Sequence, residues 1–312
     1  MSSANPGAAS PGQAFAISNS TALSVIVLVI AATACFATLD TVTKHIAISV
    51  PLLMAIWLRY AFQAEATTMV ALPVRELTVL RTGYPSFHVL RGLLLLSTSV
   101  LAFVSLKFMP VGEFTAIVMI APLVITLLAA TSLGETVSPL RWALVIGGFT
   151  GTVVIIRPMG DSFQWPSLLP LGLIVTNSWS HVLTSKLART EDPVIMHLCT
   201  GCTGTIAASL ALLFVWTAMP DWSLWEWLCV MGSMAAMGYF ILILAYKRVP
   251  TATLTPYLYS QIGFAMLAGW LAFLHVPDPK SMVGMRVIAT CGAGGAWLAM
   301  RESQLLIEPA ES

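Results

Sequence analysis

Apolar stretches of roughly 20 residues, the helix length that crosses a hydrocarbon core about 30 Å thick, recur along nearly the whole chain. They fall at 21–43, 51–73, 88–108, 113–133, 140–156, 165–187, 193–218, 224–246, 251–274 and 281–300. Backbone N–H and C=O groups in lipid have no water to bond, so each stretch must satisfy its own groups by coiling into a helix. The pattern predicts an all-α integral membrane protein with ten transmembrane helices and connections too short for a soluble domain. Composition agrees: 57% of the 312 residues are hydrophobic and only 9% are charged, against about 25% charged in a soluble domain.

The first 20 residues, rich in Ala, Ser, Pro and Gly and without Lys or Arg, read as a disordered tail, and 302–312 as a short C-terminal tail. No basic segment precedes the first apolar run, and that run is long. It is expected to stay in the protein as a helix and not to be cleaved as a signal peptide. A net charge of +1 from 15 basic and 14 acidic residues gives no electrostatic basis for a nucleic-acid partner. With the amino terminus inside, Arg75, Arg81, Arg141, Lys186, Arg189, Lys247, Arg248 and Arg301 lie in cytoplasmic loops and tail. Lys44, Lys107, Arg157, Lys280 and Arg286 lie outside. The excess favours both termini in the cytoplasm.

The second half echoes the first. Residues 90–110 (LRGLLLLSTSVLAFVSLKFMP) align without gaps on 230–250 (VMGSMAAMGYFILILAYKRVP), with Gly92 on Gly232, Lys107 on Lys247 and Pro110 on Pro250. Gly148, Gly151 and Arg157 then fall on Gly292, Gly295 and Arg301 after a slightly longer loop. Helices three to five therefore match helices eight to ten. A unit with an odd number of spans must re-enter the membrane upside down, so two inverted five-helix repeats are expected, 21–157 and 162–301. In such proteins the substrate lies near the midplane between the halves.

An ionisable side chain at membrane depth normally faces a cavity or a partner. Asp40 in helix one and Arg59 in helix two stand at similar depths near the outer surface, with Lys44 one turn on from Asp40. They form either an outer gate touching substrate charge or an ion pair holding two helices, and the second reading is favoured. Arg91 and Glu135, near the cytoplasmic ends of helices three and four, suit a structural or gating pair, while Glu113 suits the N-terminus of helix four. At mid-depth, Asn177, Ser180, His181 and Thr184 share one face of helix six, beside Trp179, and Tyr257, Gln261 and Phe264 share one face of helix nine. Helix one adds Phe36, helix eight Tyr239 and Phe240, and helix three Ser97, Thr98 and Ser99. Phe36, Asn177, Trp179, His181, Tyr239, Tyr257 and Gln261 are the candidate substrate contacts, aromatic rings with neutral hydrogen-bonding groups suited to a flat organic solute. Polar residues of these types also glue membrane helices together, and for any single Ser or Thr that is the favoured reading.

Pro122 removes a backbone bond to Val118 and predicts a kink in helix four. Gly147-x-x-x-Gly151 and Gly292-x-x-x-Ala296 are small-residue seams for helix contact within or between chains, which leaves a homodimer open. Catalytic and cofactor signals are missing. The five histidines are scattered, Cys199-x-x-Cys202 lacks a second pair for a metal, and no phosphate-cradling Gly-rich loop occurs. No catalytic residue, metal or cofactor is therefore assigned, and the expected partners are lipid and a small-molecule substrate. A polytopic membrane enzyme or a scaffold subunit is the alternative of a different class.

These residues also carry a family resemblance. Asp40 with Lys44, Leu58-Arg59-Tyr60, 88–94 (HVLRGLL), Ala121-Pro122-Leu123, Gly134-Glu135, Arg141-Trp142 and Gly148-Phe149-Thr150-Gly151 resemble the ten-helix EamA-type branch of the drug/metabolite transporter superfamily. Tyr259-x-Gln261 and Val276-Pro277-Asp278-Pro279 are similar to its second half. The chain departs from the pattern at Leu274-His275, where the family usually has a glycine and then an acidic residue. The resemblance extends to the bacterial subgroup with riboflavin and S-adenosylmethionine importers. It implies an inner-membrane permease for a small organic metabolite, working without ATP hydrolysis. Together with the aromatic candidates it points to uptake of riboflavin or a similar planar heterocycle. S-adenosylmethionine is the runner-up, its sulfonium met by Asp40 or Trp179, and export of amino acids or other metabolites stays open.

Overall fold

The protein is described from a computed structural model, in which residues 19–71, 82–132, 139–156, 165–188, 190–214, 221–248, 254 and 257–305 are placed. Helix stands within each apolar stretch. The order is α1 (Asn19–Ile46), α2 (Leu52–Ala71), α3 (Pro85–Phe108), α4 (Val111–Val118), α5 (Ala121–Ser132) and α6 (Pro139–Ile156). A short 3₁₀ turn (Trp165–Leu168) leads into α7 (Leu169–Leu187), followed by α8 (Pro193–Leu212), α9 (Trp222–Arg248), α10 (Ser260–Phe273) and α11 (Pro279–Leu305). The tails expected at 1–20 and 302–312 lie mostly outside the described residues, but α1 already begins at Asn19 and α11 runs on to Leu305.

Among the described residues, four helices are long and apolar enough to cross a membrane by themselves: Ser24–Ile46, Pro85–Phe108, Pro193–Leu212 and Trp222–Arg248. Shorter apolar helices cover Val111–Ile125, Trp142–Ile156 and Ser260–Phe273. Helices α2 and α7 have 20 and 19 residues but are less apolar. They carry Arg59 and Gln63, and Asn177, Ser180 and His181, and both helices contribute to the interior site described below.

Pro122 has a larger effect than a kink. With no N–H to give Val118, the chain breaks at 119–120. Met119 N–H bonds Thr115 O at 2.9 Å and Ile120 N–H turns back to Ile117 O at 3.1 Å, after which Leu123 and Val124 N–H restart the helix on Ile120 O at 3.0 and 3.2 Å. Other boundaries are local too. Asp192 caps α8, its carboxylate accepting Val194 N–H at 2.8 Å with Pro193 in the first turn. Leu274 ends α10 in the left-handed conformation at φ 52°, its N–H bonding Trp270 O, in the place where the related pattern has glycine.

The helices pack as α1 on α9 and α3 on α7, α2 on α9 and α3 on α8, α1 on α10 and α7 on α4 and α5, α2 on α8, and α6 on α11. Small residues set the closest approaches. A Cβ on Gly201 of α8 would stand 2.8 Å from the Ala64 backbone nitrogen, and one on Gly204 would enter the Tyr60 ring. The α6·α11 seam uses Gly147 against Cys291 and Gly151 against the Gly284 carbonyl, 2.8 Å from the missing Cβ. Gly292, expected to serve close helix contact, faces the Tyr259 ring.

Candidate functional site

Eight helices turn residues toward one interior cavity of about 100 Å³. Phe36 and Asp40 enter from α1, Arg59 from α2, Thr98 and Ser99 from α3, Asn177 and His181 from α7, Tyr239 from α9 and Gln261 from α10. The interrupted α4–α5 segment supplies Phe114, Met119, Ala121 and Pro122. The helix break thus borders the cavity, and Ser178 of α7 reaches the Ala121 carbonyl there at 3.5 Å. Local periodicity explains the convergence on α7: Asn177 and His181 are four residues apart and lie one above the other on its inner face.

Arg59 is the most constrained member of the wall. It is only 8% exposed. Its Nη1 donates to Ser99 Oγ at 2.7 Å, and its guanidinium carbon lies 5.3 Å from the centre of the Tyr60 ring and 5.5 Å from that of Tyr239. Ser99 gives its single proton to the Leu95 carbonyl at 2.7 Å, so the Tyr60 hydroxyl, 2.8 Å away, is the donor of their bond. In the same lining, Gln261 Nε2 donates to Asp40 Oδ2 at 3.3 Å, joining α1 to α10. Two opposite charges thus share one low-dielectric wall, each with neutral partners of its own. Phe36 and Tyr239 meet edge to face, with centroids 4.9 Å apart at 62°.

A narrower void of about 10 Å³ continues from this cavity, sharing His181, Tyr239 and Leu242 with it and lined further by Arg91, Ser180, Thr184 and Tyr246. His181 Nδ1 and the Tyr246 hydroxyl are 2.7 Å apart across it. Arg91, 1% exposed, donates Nε to Thr184 at 2.7 Å and Nη1 to the Met196 carbonyl at 3.0 Å and to Thr200. It binds α3 to α7 and α8 through neutral acceptors. Glu135, expected beside it, lies outside the described residues. At the start of α3, the carboxylate that is present is Glu191, 3.6 Å from His88 Nε2 and accepting Gly83 N–H.

Of the residues picked from sequence, Phe36, Asp40, Arg59, Asn177, His181, Tyr239 and Gln261 come together on the cavity wall. Trp179 does not. Two residues from Asn177, it points to the opposite side of α7 and is 45% exposed on the outer surface. Tyr257 packs against the buried cluster of α1 and α9 that includes Val29 and Leu242, and not on the cavity wall. Ser97 is exposed on α3 and bonds Leu93 O, and Phe240 meets the His197 ring at 5.6 Å. Lys44 donates to the Leu106 and Met109 carbonyls at 3.1 and 2.9 Å, capping the end of α3. Glu113, expected to serve the start of α4, lies 4.0 Å from His275, so the start of α4 meets the segment just after α10. Sequence reasoning missed Tyr60, Tyr246 and Met119. Only Tyr60 left a trace, next to Arg59 in an otherwise apolar run.

Residues 23–157 match the EamA-like transporter family. A riboflavin transporter of Rhizobium johnstonii is 31% identical over 218 residues, which cover 68% of this chain and 70% of that protein. One of Vibrio cholerae is 28% identical over 220 residues, covering 67% and 70%. An S-adenosylmethionine uptake transporter of Rickettsia bellii is 25% identical over 209 residues, covering 67% and 71%. A solved crystal structure shares the fold, with a TM-score of 0.65 over 91% of this chain and all of that one at 22% identity. The chain belongs to the EamA-like family of the drug/metabolite transporter superfamily and is a multi-pass membrane transporter.

Proposed function

We propose that this transporter carries riboflavin, or a similar planar heterocycle, into the bacterial cell across the inner membrane. It does so by alternating access between two inverted five-helix halves, 21–157 and 162–301, with both termini cytoplasmic. The cavity carries the reading. Its aromatic rings and neutral amides, with opposite charges balanced in one wall, suit a flat solute of no net charge. Two relatives named as riboflavin transporters support the choice of ring. The helix packing supports the repeat through its symmetry. Exchanging α1 with α7, α2 with α8, α3 with α9, α4–α5 with α10 and α6 with α11 turns its main pairs into one another, as a twofold axis in the membrane plane requires.

A cavity of about 100 Å³ is small beside the roughly 300–1,000 Å³ of ordinary ligand pockets, so the halves must part to admit a tricyclic ring. The broken α4–α5 segment is the hinge best placed for that movement. His181 with Tyr246, and Arg91 beyond them, close the route toward the start of α3.

Purified protein is expected to quench flavin fluorescence on binding and to move labelled riboflavin into proteoliposomes. Absence of both would overturn the reading, and absence of flux for any metabolite would return the protein to the scaffold or enzyme class. S-adenosylmethionine uptake is the second reading, favoured by the Asp40 carboxylate on the cavity wall and by the Rickettsia relative. Displacement of bound flavin by S-adenosylmethionine, or flux of it alone, would decide for it.

A further inference from the structure

Arg59 lines the cavity and is more than nine-tenths buried, yet its donors are unequally used. Nη1 goes to Ser99, while the buried Nε–H meets no acceptor among the described residues. Buried donors in native proteins nearly always find partners, and this one belongs to a side chain that lines the cavity. Asp40 lines the same space, and Gln261 occupies only one of its two carboxylate oxygens, Oδ2.

Resting on the flavin reading above, we propose that Arg59 and Asp40 are the specificity-determining pair that reads an imide edge, –CO–NH–CO–, of the carried ring. Arg59 Nε–H donates to a ring carbonyl, and the Asp40 carboxylate accepts the imide N–H. The competing occupant is a zwitterionic amino-acid head, whose carboxylate would take the Arg59 Nε and Nη2 donors in parallel. An ammonium asks for several acceptors. The Arg59 Nε–H and the Asp40 oxygen left open by Gln261 fit a neutral amide-like edge, and the opposite charges of the pair spare a neutral solute any counter-charge of its own. The edge-to-face Phe36 and Tyr239 rings, 4.9 Å apart, supply apolar surface for the rest of the heterocycle. The Tyr60 and Tyr239 rings around the guanidinium fix its plane, a role lysine does not fill.

The test uses the full-length protein in lipid nanodiscs, titrated with riboflavin and with riboflavin methylated on its imide nitrogen, binding being read by flavin fluorescence. The wild type is expected to bind the methylated flavin at least about tenfold more weakly, because methylation leaves a buried acceptor unpaired. In Asp40→Ala that ratio is expected to shrink below about twofold, the acceptor being gone. Arg59→Lys is expected to weaken both flavins alike. Equal binding of the two flavins by the wild type, or an unchanged ratio in Asp40→Ala, overturns the assignment while leaving riboflavin uptake standing. No riboflavin binding at all by the wild type removes both. The wild-type comparison needs no variant to fold.

Discussion

Among the described residues, Arg59 and Arg91 are sunk between the helices, and their partners separate their roles. Arg91 spends three hydrogen bonds on Thr184, Met196 and Thr200, which makes it a rivet between α3, α7 and α8. Arg59 lines the cavity and keeps its Nε–H without an acceptor among the described residues. Both residues are visible in the sequence as costly groups at membrane depth. Their partners are not, because the acceptors stand on helices about 40 to 110 positions away. Gln261 is similar: its contact with Asp40 spans 221 positions. Gln261→Ala should leave membrane insertion intact and lower uptake about tenfold, the loss of one bond to a charged acceptor. Proteoliposome flux measured at equal protein content checks it, and wild-type uptake would reduce the residue to helix glue.

Helix spacing is governed by missing side chains. Gly201 of α8 faces the Ala64 backbone at 2.8 Å, and a backbone atom cannot swing aside as a side chain can. Gly201→Ala should therefore cost about 2 kcal/mol or more through forced separation of α2 and α8. Gly263→Ala, with nothing within 4 Å of the added Cβ, should be neutral or stabilising by up to about 1 kcal/mol through helix propensity. Thermal midpoints in detergent would rank the pair, and equal losses would contradict the packing account. Leu274 offers a second case. Its φ of 52° strains any residue with a Cβ, and its side chain is 80% exposed, so little packing opposes its removal. Leu274→Gly should raise stability by about 1 kcal/mol, read as a higher midpoint. An unchanged or lower midpoint would mean that the leucine side chain matters where it lies.

Under the proposed alternating access, the protein as a whole opens at one end of the cavity while it stays shut at the other. Glu113 at the start of α4 and His275 just after α10 are 4.0 Å apart, and the proposed halves own one each. Glu113→Cys with His275→Cys, joined by a short cleavable thiol reagent after the exposed native cysteines are replaced, should abolish flux. Cleavage of the reagent should restore it. Full flux in the cross-linked protein would show that this end never parts.

How much of this could be read from the residues alone follows from where the forces act. In lipid each backbone group must bond within its own segment, so apolar length by itself fixed the helices, and Pro122 by itself fixed where one of them breaks. The period of the helix brought Asn177 and His181 onto one face. It could also have told that Trp179, two positions on, turns to the opposite side. Helix-to-helix choices are different. Lipid tails are as apolar as the side chains they touch, so no hydrophobic gradient tells one helix which neighbour to take. Fit at glycines and a few polar contacts decide it. Only the assembled bundle could therefore set Arg91 against Thr184 and Thr200, face Gly292 with Tyr259, and bring Asp40, Arg59 and Gln261 from three separate helices to one cavity.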